Sequence, residues 1–95
     1  VSRFNIFERD NYLLEGEIAG KRIFLHLSYI GKFTKTNYLE MLEDWDEICE
    51  YFKSKGVSKL YSVVPFSDKV CKWQNMFGLS HIANLGKNRI YRRVL

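Results

Sequence analysis

Apolar and polar residues alternate through the first thirty positions. Leu14, Gly16 and Ile18 fall on one side of a period-two pattern, with Leu13, Glu15 and Glu17 on the other. A half-buried strand has that period, so Tyr12 to Ala19 is read as a strand. Ile23, Leu25 and Leu27 alternate with Phe24, His26 and Ser28, which predicts a second strand over Arg22 to Tyr29. Ala19-Gly20-Lys21-Arg22 lies between them, and a glycine able to take positive φ suits a tight hairpin turn. An earlier strand is predicted around Phe4, Ile6 and Glu8.

The period then changes. Tyr38, Met41 or Leu42, Trp45, Ile48 or Cys49, and Phe52 recur every three to four residues, giving one apolar stripe on a helix over Thr36 to Lys55. Such a helix is about 30 Å long. Thr36 is the expected N-cap, Glu40 and Glu43 the early acids, Lys53 and Lys55 the basic last turn, and Gly56 the stop. Val57 to Pro65 is a short apolar, β-branched run, expected as a buried central strand parallel to the one before the helix. Ser67 caps a predicted second helix, Asp68 to Phe77, with Val70, Trp73 and Phe77 inward and Gly78 as its end. Leu79–Leu85 and Arg89–Leu95 are expected to close the chain as a hairpin around Gly86-Lys87-Asn88. The fold class expected is α/β (α+β): a mixed twisted sheet with one long and one shorter helix, in a single domain over residues 1–95.

Composition narrows the class. Of 95 residues, 46% are hydrophobic and 16% aromatic, ample for one core. No apolar run reaches the roughly 18 residues of a membrane span. Val1 to Asp10 lacks the basic-then-apolar layout of a signal peptide, so a cytoplasmic location is expected. Cys49 and Cys71 are too few for a disulfide framework and are expected as buried, reduced thiols.

Charge is segregated. Residues 1–50 carry six basic and ten acidic side chains, whereas residues 51–95 carry nine basic and one acidic, Asp68. Glu40, Glu43, Asp44, Asp46, Glu47 and Glu50 fall on the outer face of the long helix. That face is either simply solvated or a docking surface for a basic partner. Lys69, Lys72, Lys87, Arg89, Arg92 and Arg93 make up much of the basic half. Nucleic-acid binding would want a shared patch with exposed aromatics, and Arg92 and Arg93, being consecutive on a strand, point to opposite faces.

Complete catalytic signatures are missing. His26, His81, Cys49 and Cys71 lack the spacing of a zinc site. No serine sits on a nucleophile elbow. His26 is expected as a core or sheet-surface histidine, and the many tyrosines and tryptophans as core rings.

The order strand, hairpin, long helix, buried strand, shorter helix, hairpin resembles the GNAT N-acetyltransferase fold, trimmed at its N-terminus. Leu60-Tyr61-Ser62-Val63-Val64 is similar to the family strand at whose end the sheet splays. Trp73-Gln74-Asn75-Met76-Phe77-Gly78-Leu79 is similar to its "LYEKLGF" segment, and Ile90-Tyr91-Arg92-Arg93 to its closing strand. Met41-Leu42-Glu43-Asp44-Trp45, with Trp73 and Met76-Phe77-Gly78, resembles small GNAT-like proteins encoded by bacteriophages. The resemblance implies an acetyl-CoA loop at the start of the long helix, where bare backbone N–H groups, glycines and the helix dipole hold phosphate. Here that stretch is Gly31-Lys32-Phe33-Thr34-Lys35-Thr36-Asn37-Tyr38, with one glycine, and with Phe33 and Tyr38 expected to bring bulk. The family's frequent general-acid tyrosine is replaced by Gln74, which has no such proton to give.

The function expected is therefore a non-catalytic GNAT-like module that binds a protein, a host protein if phage-encoded, or a second copy of itself. Its expected partner-binding residues are Glu43, Glu47, Glu50, Lys69, Lys72, Arg89 and Arg92. No cofactor or metal is expected. The alternative is a divergent N-acetyltransferase holding acetyl-CoA through Gly31, Lys32 and Lys35, and a third is weak nucleic-acid binding.

Overall fold

Gly20 takes φ 63° and turns the chain between two fully registered strands. The computed structural model describes residues 2–32 and 34–95, without the side chains of Asp68 and Lys69. In chain order the elements are β1 (Ser2–Arg9), β2 (Tyr12–Ala19), β3 (Arg22–Tyr29), α1 (Lys35–Ser54), β4 (Lys59–Pro65), α2 (Asp68–Met76), β5 (Ser80–Leu85) and β6 (Asn88–Val94). They form one mixed, six-stranded sheet in the order β1-β2-β3-β4-β6-β5. Among the described residues only β3 and β4 run parallel, joined through α1; the other neighbours are antiparallel. The fold is α+β, with one long and one short helix, as the periodicities predict.

One layer of side chains holds the helices to the sheet. Tyr12 and Leu14 from β2, Leu60 from β4 and Tyr91 from β6 meet Tyr38, Met41, Trp45, Ile48, Cys49 and Phe52 from α1. Phe77 closes the layer from the end of α2, edge-on to Tyr38 at 5.3 Å and to Trp45 at 5.4 Å. Both alternatives in the α1 stripe are used, since Met41 is buried and Leu42 packs against the core, and Ile48 and Cys49 are both buried. Both cysteines are free and buried.

Two helix caps, one strand start and one ladder differ from expectation for local reasons. Thr34, not Thr36, caps α1: its backbone is extended, Thr34 Oγ1 accepts from Asn37 N, and Asn37 Oδ1 accepts from Thr34 N. The helix thus starts at Lys35, and its first turn holds no acid, so Glu40 and Glu43 are not dipole partners. Ser67 occupies the cap position of α2 without a side-chain capping bond. Val57 belongs to the end of α1 and not to β4: Gly56 N donates to Lys53 O and Val57 N to Phe52 O, the two bonds of a Schellman closure around Gly56 at φ 83°. The β1–β2 ladder also carries a bulge between Asn5 and Phe7.

Candidate functional site

The parallel β3–β4 ladder joins only Phe24 to Tyr61 and Leu25 to Ser62. Beyond it the strands part, although β3 stays paired to β2 as far as Tyr29 and β4 to β6 as far as Pro65. A cleft of about 400 Å³ occupies the split. Leu25, Leu27 and Val64 line it from the helix side, His26 and Ser28 from the other sheet face, and Met41, Trp45, Trp73 and Gln74 close it from the helices. His26 Nε2 lies 2.6 Å from Glu17 Oε1, and Arg3 Nη2 lies 3.5 Å from the same oxygen. His26 is thus a sheet-surface histidine, as its alternation predicts, with a carboxylate partner that no motif signalled.

The N-terminus of α1 answers part of the acetyl-CoA expectation. Gly31 has φ 73° and open space around it, and Lys32 and Lys35 are exposed. One helical N–H is already taken by the Thr34 side chain, and Asn37 is held further by Asn11 Nδ2 at 2.7 Å. Tyr38 does not crowd this end: it turns into the core against Phe77, which corrects the bulk expected of its ring. Phe33 lies outside the described residues.

The expected partner-binding residues separate. Glu43, Glu47 and Glu50, with Asp46, are all exposed along the outer side of α1, and among the described residues none is in an ion pair. Asp44 is different, bound to Arg9 at 3.1 Å. The basic residues do not gather in one patch. Lys72 is exposed on α2. Arg89 faces the helices, stacked 4.2 Å over Phe66 and 4.0 Å from Cys71 Sγ. Arg92 pairs with Tyr61, which puts it on the opposite, helix-free face. Arg93 is spent internally, donating to Phe77 O at 2.8 Å. The Lys69 side chain lies outside the described residues.

A second recess lies between β1 and α1. It measures about 450 Å³, and Phe4, Ile6, Phe7, Glu47, Tyr51 and Phe52 are among its lining residues. The sequence marked Glu47 but not the groove below it, because the groove depends on the β1 bulge and on residues of β1 and α1 brought together only by the fold. Cys71 sits under Arg89 with its thiol pKa lowered, chiefly by a hydrogen bond with Tyr91. Burial raises that of Cys49. Among the described residues no group of histidine, cysteine or carboxylate side chains could hold a metal ion, and no helix is long and apolar enough to cross a membrane.

No protein-family profile, curated protein or solved structure matches the chain significantly.

Proposed function

We propose that this chain is a GNAT-like binding module without catalysis, docking a basic region of another protein on the outer face of α1. The observation that carries this reading is the row Glu43, Asp46, Glu47 and Glu50, exposed together and neutralised by no basic side chain among the described residues. Complementary charge steers association and rejects like-charged partners. A host protein is the partner that the phage resemblance suggests; a second copy is the self-associating form. Changing Glu43, Glu47 and Glu50 together to Lys tests it, because exposed acids can be reversed with little loss of fold stability. Arg92→Glu is the matched control, since Arg89 and Arg92 lie on opposite faces and Arg89 is engaged with Phe66. The expected result is a partner, identified by mass spectrometry, that binds the parent and the control, is lost at high salt, and is lost in the triple variant. A partner retained by the triple variant overturns the proposal.

The cleft at the β3–β4 split favours a second reading, a divergent acetyltransferase. Its lining is mostly apolar, and His26, held by Glu17 at 2.6 Å, is a proton acceptor among the lining residues. The fold alone does not decide the chemistry, so acetyl-CoA binding separates the two.

A further inference from the structure

We propose that the groove between β1 and α1 takes an extended polypeptide segment of a partner protein, one whose groove-facing alternate residues include both apolar and basic side chains, added as a strand to the free edge of β1. The proposal rests on the reading of the acidic α1 face as a docking surface and names what that face receives.

Three observations converge on it. First, β1 is an edge strand, paired on one side only. An edge offers a row of backbone N–H and C=O groups that another extended chain can pair with. Second, the floor beside that edge is apolar. The bulge between Asn5 and Phe7 breaks the strict alternation, so Phe4, Ile6 and Phe7 all pack toward the core side. Tyr51, 59% exposed, stands opposite on α1. Third, the helix wall is acidic. Glu47 lines the groove, has no ion pair among the described residues, and lies one turn from Glu43 and Glu50. Asp44 also lines the groove, but Arg9 already neutralises it.

Each feature selects one property of the ligand. The free edge selects an extended backbone. Successive strand residues point to opposite faces, so only every second side chain faces the groove, and the apolar floor selects apolar side chains among these. Glu47, Glu43 and Glu50 select cations among the same groove-facing residues and repel an acidic peptide or a nucleic acid. The groove and the acidic row share Glu47, so one segment can engage both.

The probe is a fluorescein-labelled, end-blocked peptide of about six residues, the length of a common strand, with the sequence Val-Thr-Arg-Thr-Val-Thr, so that valine and arginine share one face and threonine takes the other. Its binding to the whole chain is followed by fluorescence polarisation. Two further peptides carry N-methyl groups, one on the valines and the arginine and the other on every threonine. Added strands use the N–H groups of alternate residues, so one methylated peptide should lose at least about tenfold in affinity and the other stay within about twofold. Glu47→Gln should weaken the parent peptide by about fivefold at low salt, and by less at high salt. Circular dichroism checks that this variant folds. The groove assignment is overturned if the parent peptide does not bind, if both methylated peptides bind like the parent, or if Glu47→Gln changes nothing. If it fails while the Glu43, Glu47 and Glu50 reversal still abolishes partner binding, the docking reading stands without the groove. If that reversal has no effect, both fall.

Discussion

Trp45 Nε1 donates to the carbonyl oxygen of Phe77 at 2.8 Å. Arg93 Nη1 reaches the same oxygen, also at 2.8 Å. Phe77 is the C-cap of α2, and a helix end leaves carbonyls that need partners. One buried acceptor therefore ties α1, the end of α2 and β6 together.

Trp45→Phe should cost about 1 kcal/mol through the lost hydrogen bond, because Arg93 still satisfies the carbonyl. Trp45→Ala should cost about 3–5 kcal/mol, since it also opens a cavity under a side chain only 2% exposed. Combining Trp45→Phe with Arg93→Met orphans the oxygen, so the double loss should exceed the sum of the singles by about 1 kcal/mol. Urea unfolding of the four proteins measures this, and strict additivity would rule out the shared acceptor.

Gly16 faces Phe4 across the β1–β2 ladder. A β-carbon there would lie 2.5 Å from the tip of the Phe4 ring, and Phe4 is itself 6.3 Å from Phe52, centroid to centroid. Gly16→Ala should therefore destabilise by about 1–3 kcal/mol, as overpacking does. Phe4→Leu should remove much of that penalty in the double variant. A Gly16→Ala protein as stable as the parent would mean that the ring has room to move.

Period-two and period-3.6 patterns made most of this fold legible. Strands β2 and β3 match their predicted limits, and the face assignments of Leu14, Leu25 and Trp45 hold. The cap at Thr34 was missed because Thr36 is also a good capping residue. Choosing between them needed the reciprocal bond of Asn37, three residues on from Thr34. The cleft was legible only as a splay implied by resemblance. Its cause, a parallel ladder that stops after Leu25 and Ser62, is a tertiary property. The internal use of Arg93 and the stacking of Arg89 on Phe66 were hidden for a similar reason: a charge count does not say which cations fold back onto the chain.

The two thiols should respond oppositely to pH. Cys71 ionises below its ordinary value, through the hydrogen bond with Tyr91 first, with Ser67 and Arg89 assisting against burial. Cys49 ionises above it, through burial first, with Asp46 and Glu50 adding to the shift. For Cys71 the folded chain gives up its proton before the unfolded chain does. Its contribution to stability therefore grows as pH rises through the folded value, is complete above the ordinary thiol value, and is lost as pH falls. For Cys49 the unfolded chain ionises first, so stability falls as pH rises past the ordinary value. Cys49→Ala should flatten the alkaline loss of stability, and Cys71→Ala should steepen it. Thermal melts across the alkaline range read both slopes, and identical slopes in the two variants would contradict the assignment.

Acetyl-CoA should bind no tighter than about 100 μM, a free energy near −5.5 kcal/mol. A diphosphate needs several bare N–H groups at a helix start. At the start of α1 the Asn37 N–H is held by Thr34 Oγ1, and the Asn37 side chain is pinned to Asn11. Gly31 is the one glycine in the loop, so Lys32 and Lys35 are left to attract phosphate as exposed charges. Exposed charges of this kind contribute little and are screened by salt. The cleft of about 400 Å³ could still accept an uncharged, amide-bearing chain. Acetyl-pantetheine should then bind within about tenfold of acetyl-CoA, a difference of about 1.4 kcal/mol or less. Lys32→Ala with Lys35→Ala should change the acetyl-CoA value only at low salt. Calorimetric titration of both ligands decides the matter. Low-micromolar acetyl-CoA affinity, lost when the nucleotide and its phosphates are removed and weakened by the lysine changes, would show a working phosphate site. That result would place the acetyltransferase reading ahead of the docking reading and make His26 and Gln74 the next residues to replace.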